Sequence, residues 1–542
     1  MMRTHALHYL SLAAVLLLLL ACQLSDALPT INPPSETQSL YDIPRDQALV
    51  LLGGESTNPR DYDPATTHSS GDKLAFSGLV SLDPDLNLVP DLAESWEVTS
   101  DGTLYTFHLR QNALFHDGRP VTAGDVVFSW ERAANPETRS DTALTYLGDI
   151  VGVREMVDGR SDHISGLRVV DDHTLQVSID APKPYFLLKL TYPTAFILDK
   201  NNIESGPDWY RTPNGTGPYR LTRWERFQVM IYERYEDFYL GPPAIPYVIM
   251  QLYSGIGLRL YETGEIDMTA VYPYSVPGVM DPSNPLHSEL VGGVDLYTDY
   301  VVFDVNQPPF DDLKVRQAFS MAFDRQKYID VVLQGIALPA VGPFPPGLPG
   351  FSYDLKGLPY DPVRARQLLV ESKYGGSAGL PPIIYTDAGI GNDTGYSVAA
   401  LAQMWEQNLG VRIIVENLEP DRYLDEIYAG HHGQMFGGGW YADYPDPENF
   451  ADLLFHSGSL QNNGGYSNPE LDILLDQARV EKDVARRIAL YQQVEQIIVN
   501  DAPVLFTVHG LSFVLVKPYV KGYVLTPIDI PLLRYLWLDH KD

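Results

Sequence analysis

The 542-residue sequence contains a single cysteine, at position 22. A body with no other thiol has no disulfide framework, no cysteine metal site and no thiolate nucleophile. Positive charge is also scarce: 38 Lys and Arg face 70 Asp and Glu, a formal net charge of −32. Sequence-independent binding to a polyanion needs clustered cations to displace condensed counterions, so this balance argues against nucleic acid as a partner. Spread along the chain, the charge reads first as a solubility device for an exported protein. No long apolar run follows the first 21 residues, and a membrane span needs about 20. What is plentiful is core material, with 45% hydrophobic and 11% aromatic residues. A chain of this length exceeds one core, so two or three compact lobes are expected.

The N-terminus carries Arg3, then an apolar stretch from Leu10 to Leu20, then Leu19-Leu20-Ala21-Cys22. That is the layout of a signal peptide, 1–21. The small residue before Cys22 resembles the bacterial lipobox, in which the cysteine is lipidated and becomes the mature N-terminus. The following segment, QLSDALPTINPPSETQSLYDIPRD, is rich in Ser, Thr, Pro and acids without apolar periodicity. Residues 22–45 read as a flexible tether between membrane and globule.

From Ala48 the texture changes. Leu104, Thr106, His108 and Arg110 alternate with Tyr105, Phe107 and Leu109, behind an Asp101-Gly102 turn; this predicts a strand leaving a hairpin. Thr122 is a plausible N-cap for a helix carrying Val126, Val127 and Trp130 at helical spacing. Thr174–Asp180 and Arg226–Arg234 are further alternating strands, so the first part is β-rich. Later, IIYTD, SVAALAQMWEQNLG and VRIIVENL give strand, helix and strand, with Gly410 placed as a helix C-cap and a further helical run over 422–428. Such a unit predicts parallel strands with a crossover helix. Asp483 caps a helix with Ile488, Tyr491, Val494 and Ile498 on one face, a packing pattern.

Three motifs with chemical associations fail on context. Gly375-Gly376-Ser377-Ala378-Gly379 matches a nucleophile elbow in letters, but a helix runs into it and a strand leaves, the reverse of the required order. GIGNDTG, from Gly389 to Gly395, has the wrong spacing for a dinucleotide loop and no P-loop lysine. His431-His432 has no further ligand at metal-site spacing, and adjacent side chains of an extended segment point apart. No cofactor or metal is expected. The remaining stretch is GGGWYADYPDPENF, Gly437 to Phe450. Asp446-Pro447 reads as the N-cap and first residue of a short helix with Phe450, Leu453 and Leu454 inward. Asp443 reads equally as a second turn carboxylate or as a ligand-binding one, and acid chemistry shared with another carboxylate stays open.

Several long blocks resemble, in order, the family 5 extracellular solute-binding proteins of bacterial ABC importers, which include oligopeptide- and dipeptide-binding proteins. They are LVPDLAESWEVTSDGTLYTFHLRQNALFHDGRPVTAGDVVFSWERA from Leu88, NGTGPYRLTRWE from Asn214, ETGEIDM from Glu262, VNQPPFDDLKVRQAFSMAFDR from Val305 and GWYADYPDPENF from Gly439. The resemblance implies a mixed α/β, two-lobe clamp of the type II-like periplasmic binding kind. It has an extra smaller domain at 78–192, lobe II at 297–507, and a discontinuous lobe I from 46–77, 193–296 and 508–542. It implies a monomeric, lipid-anchored, extracytoplasmic binding protein rather than an enzyme, delivering peptides to an ABC permease and its ATPase subunits. Oligosaccharides and nickel complexes are the family's other cargoes, and an envelope hydrolase using acidic residues is the alternative outside the family.

By motif, the family's ammonium-binding aspartate is Asp443. Gly439 would pair with an extended peptide main chain, and Trp440, Tyr441 and Tyr444 would line side-chain pockets or belong to the core. The segment Gln434 to Gly439 lacks the arginine with which some oligopeptide binders meet a ligand carboxylate.

Overall fold

The computed structural model describes residues 39–53, 62–66, 72–252, 255–389 and 394–540. The expected signal peptide, Cys22 and the start of the tether lie outside the described residues, as do positions 390–393 of the GIGNDTG loop. The tether expected to run through residue 45 is already folded from Ser39. There Ser39–Leu40 pairs with Ile43–Pro44, and Arg45 is ion-paired to the buried Asp267 and donates to Ala48 O at 3.0 Å.

An eleven-stranded mixed sheet organises the molecule. Its order is Tyr219–Glu225, Val229–Arg234, Tyr247–Gln251, Ala48–Leu52, Met268–Ala270, Val504–Val516, Leu290–Phe303, Met435–Tyr441, Ile383–Asp387 and Ile413–Asn417; Leu338–Pro339 pairs beside Val504–Val516. The anticipated parallel unit is present: Ile383–Asp387 and Ile413–Asn417 run parallel, joined by the helix Tyr396–Leu409, which stops at Gly410 with φ +69. Alternation decides the layers. Val301 and Phe303 point into a core with Tyr385 and Trp405, while Tyr300 and Val302 point into another with Phe450 and Tyr491.

Two long neighbouring strands in the middle of the sheet belong to both of its halves. Leu290–Val294 pairs with Leu511–Leu515, and Thr298–Val302 pairs with Val504–His509, with the register broken between them. The first halves sit beside Met268–Ala270 and the second beside Met435–Tyr441. The sheet is thus two sheets joined at Asp295, Leu296 and Tyr297 on one strand and Gly510 on the other.

A separate four-stranded antiparallel sheet holds Ala93–Val98, Leu104–Leu109, Thr174–Ser178 and Leu167–Asp171. Tyr105, Phe107 and Leu109 face inward, and Gly102 takes φ +80 at the turn before them. The helix Ala123–Ala134 covers this sheet with Val126 and Trp130 fully buried, and the Thr122 N–H donates to the Asp125 carboxylate at 2.8 Å in a capping box. This module shares its core with Tyr235, Phe238 and Tyr239, next to the first half-sheet.

Candidate functional site

The strand Met435–Tyr441 has one free side. It pairs with Leu290–Phe303 along its length, but the parallel strand Ile383–Asp387 reaches only Met435 and Phe436. Among the described residues no strand covers the other side of Gly437–Tyr441. The Ala442 N–H donates to Leu296 O at 2.8 Å and the Asp304 N–H to Gln434 O at 3.0 Å, which makes even-numbered residues the hydrogen-bonded partners of the neighbouring strand. Gly437, Gly439 and Tyr441 therefore turn their N–H and C=O groups to the free side. The Tyr423 hydroxyl takes the Gly437 carbonyl at 2.8 Å. Those of Gly439 face an edge that no other described strand covers. Glycine is needed at Gly438, where a Cβ would lie 2.5 Å from the Tyr300 ring; at Gly439 a Cβ would lie 2.2 Å from the Tyr297 hydroxyl, the outer end of that side chain.

Beyond the strand, one side chain arranges the turn. Asn449 is fully buried; its Oδ1 accepts from the Asp443 N–H at 2.9 Å and from Trp440 Nε1 at 3.0 Å, while its Nδ2 donates to Asp443 Oδ2 at 3.0 Å. The Asp443 carboxylate is thereby aimed by a clip six residues ahead. The helix that supplies Asn449 runs Glu448–Phe455, so it starts one residue later than expected from Asp446-Pro447. Asp446 still accepts from the Glu448 N–H at 2.9 Å. Its second role was not anticipated: Arg487 grips it from the helix Val484–Asp501 with two bonds of 2.7 and 2.6 Å, both side chains buried.

The opposite wall comes from the separate module. The Tyr146 hydroxyl hydrogen-bonds the Asp443 carboxylate; burial, then the Asp443 charge, push the Tyr146 pKa well above its ordinary value. Tyr146 stacks on Tyr192 with centroids 3.7 Å apart and planes 3° from parallel. Between the walls lies a cleft of about 530 Å³, lined by Ser81, Tyr192, Asp443, Asp529, Lys73 and Arg534 among others. Its two cations have partners, Lys73 with Asp529 at 2.8 Å and Arg534 with Asp91 at 3.7 Å. A second cavity, about 700 Å³, opens over Gly437–Trp440 and is walled by Tyr423, Tyr428, Leu454 and Phe455. Amines and extended backbones are what this arrangement can hold: a carboxylate in a narrow cleft, close to a strand edge that no other described strand covers at Gly439.

Of the sequence candidates, Asp443, Gly439, Trp440 and Tyr441 share this site. Trp440 is half-buried against the core. Tyr441 is exposed and donates to Asp295 Oδ2 at 3.1 Å, at the junction of the half-sheets. Tyr444 is fully buried with its hydroxyl on Glu448, so it belongs to the core rather than to a wall. Tyr146, Asn449, Lys73 and Arg534 were missed. Only Asn449 had a signal, as a polar residue at an inward position of the short helix. His431 pairs with Glu426 at 2.9 Å and the His432 ring meets Gly433 O at 2.8 Å; among the described residues no group of three potential ligands gathers for a metal.

Comparison with known proteins points the same way. The family described as bacterial extracellular solute-binding proteins, family 5 Middle, matches residues 87–462. The probable deoxycholate-binding periplasmic protein YgiS of Escherichia coli is 33% identical over 480 residues, covering 85% of this chain and 88% of its own. The periplasmic oligopeptide-binding protein OppA of the same organism is 30% identical over 520 residues, covering 91% and 92%. The solved structure of the Escherichia coli murein tripeptide-binding protein MppA superposes with TM-score 0.80 at 28% identity, over 91% of this chain and 98% of its own. An unliganded open form of MppA gives TM-score 0.69 at 27% identity, over 91% and 97%. The conformation described here is thus nearer to the first structure than to the open form.

Proposed function

The chain belongs to the bacterial extracellular solute-binding proteins of family 5, binding proteins and not enzymes, and from that premise we propose that it captures peptides between two closing lobes. The observation that carries this reading is the strand edge at Gly439, which no other described strand covers, running toward the Asp443 carboxylate. A peptide lying there as an added strand would give its main chain to the edge and its α-ammonium to the carboxylate. Side chains would then enter the cavity beside Trp440. Tyr444 would support this wall from beneath. Arg534 or Lys73, rather than an arginine upstream of the motif, would meet a ligand carboxylate, each by leaving its present acidic partner. Relatives named for oligopeptides and for a murein tripeptide support the same ligand class.

The proposal includes delivery to an ABC permease with its ATPase subunits, an extracytoplasmic place, a monomer, and lipid attachment at Cys22. It also takes 46–77, 193–296 and 508–542 as lobe I, 78–192 as the extra domain and 297–507 as lobe II. The register break between Val294 and Thr298 supports those limits. The relative named for deoxycholate carries the second reading, a steroid acid without an amine. Native mass spectrometry of freshly purified protein separates the two. Short peptides with free amino termini are expected; a steroid acid or a neutral sugar in their place refutes the peptide reading.

A further inference from the structure

Lys189 ends the short helix Phe186–Lys189 of the module that packs on the first half-sheet, and it is 5% exposed. Its ammonium lies 3.1 Å from Asp149 in the same module and 3.3 Å from Glu448, which belongs with the second half-sheet across the cleft. Asp149 also takes Lys183 at 2.6 Å. Lys183 has a second carboxylate of its own, Asp180 at 2.8 Å, so with the lobes apart Lys189 would keep only Asp149, which it shares with Lys183. The facing surface would hold Glu448 without a cation of its own, since Asp446 is occupied by Arg487 and Asp452 by Arg479 at 2.6 Å. Shutting the cleft brings Lys189 to Glu448 and gives that buried carboxylate its cation. We propose that Lys189 and Glu448 form a charge latch, made only when the lobes close, that sets how long a captured ligand stays. This rests on the closing-lobe reading above and not on the ligand being a peptide.

The position of the pair gives it leverage. Glu448 follows the Asp443 turn, is 3% exposed, and accepts the Tyr444 hydroxyl. A carboxylate drawn into such a place costs free energy unless a cation arrives with it. Other contacts cross the same gap: Arg487 lies 5.3 Å from the centre of the Tyr185 ring, and Lys482 donates to the carbonyls of Ser100 at 3.2 Å and Asp101 at 2.6 Å. These are a cation over a ring and rim bonds to neutral acceptors; Lys189 and Glu448 neutralise each other. Neither residue lines the cleft around Asp443, so both act on the ligand through closure.

The test uses the full chain with an equimolar pool of tri- to pentapeptides having free termini. Lys189→Met, Glu448→Gln, the double variant and Lys189→Arg are compared in stopped-flow binding and small-angle scattering. Each neutralising single variant should raise the dissociation rate by at least ~30-fold, because breaking a buried pair leaves one charge unmatched. Association should stay within about threefold, since encounter precedes closure. The double variant and Lys189→Arg should recover most of the loss, and bound-state scattering should show a more open particle in the single variants alone. Unchanged dissociation, or losses in the single variants that simply add in the double one, would overturn the latch. If no peptide binds, scattering of the ligand-free variants decides separately. Opening in the single variants that reverses in the double one sustains the latch while the peptide reading fails, and no such change removes both.

Discussion

Replacing Asp443 by Asn tests the ammonium site most directly, because the structure separates its charge from its scaffolding. The backbone N–H of residue 443 and the indole of Trp440 bind Asn449 Oδ1, and both bonds survive the change. The new amide oxygen can also accept from Asn449 Nδ2, now 3.0 Å from Asp443 Oδ2. What remains toward the cleft is an NH₂ group, a donor facing a donor. The loss is then one charge-assisted hydrogen bond, about 1.5–3 kcal/mol, or about 10- to 150-fold in Kd. Calorimetric titration of a tripeptide and its N-acetyl derivative against both proteins closes a cycle. Acetylation should weaken binding to the wild type by a similar factor and should leave binding to Asp443→Asn almost unchanged. Thermal midpoints within about 2 °C of each other would show that the scaffold held, as expected where the Asn449 clip is kept and the Tyr146 hydroxyl can turn to accept from the new amide. Equal affinity of both proteins for the free tripeptide, or an undiminished acetylation penalty in the variant, would refute the assignment.

Three further outcomes are expected. Gly438→Ala should lower the melting midpoint by several degrees, because its Cβ would press on the buried Tyr300 ring at 2.5 Å and overpacking costs about 1–3 kcal/mol; an unchanged calorimetric scan would contradict this. Arg487→Met should cost about 3–5 kcal/mol in urea unfolding by stranding Asp446, and adding Asp446→Asn should restore much of it. Burial pushes the Glu495 carboxyl up from 4.5 to about 8, so the native state keeps a proton that the unfolded chain gives up. That contribution is whole below about pH 4.5 and is lost as pH rises through 8, so Glu495→Gln should melt above the wild type at pH 9 and close to it at pH 5.

Local features were legible in the sequence because local physics sets them. The inward Tyr105, Phe107 and Leu109, the Thr122 cap, the Gly410 stop and the strand–helix–strand unit over 383–417 all follow from side-chain period and cap chemistry. Pairings between distant segments were not legible. Nothing near Val294 announces a break in register, since the break exists only against a strand more than 200 residues later. The helix Val484–Asp501 was read by its apolar face, yet Arg487 and Glu495 are buried with it, the first because Asp446 waits there. The motif marked Asp443 and Gly439 by resemblance, whereas Tyr146 and Lys189 gain meaning only once the module and the second half-sheet face each other.

The strand Val504–Val516 bonds to Met268–Ala270, Leu290–Phe303 and Leu338–Pro339, so it is the middle of the sheet and yet is synthesised after all of these partners. At ribosomal rates of about 5–20 residues per second, the earlier strands wait tens of seconds for their partner. Until it arrives, Leu290–Phe303 has an unfilled edge and neither half-sheet is complete. The large sheet therefore closes through contacts of very long sequence separation, which slow folding. The four-stranded module, whose strands lie between Ala93 and Ser178, has no such wait, whereas both half-sheets do.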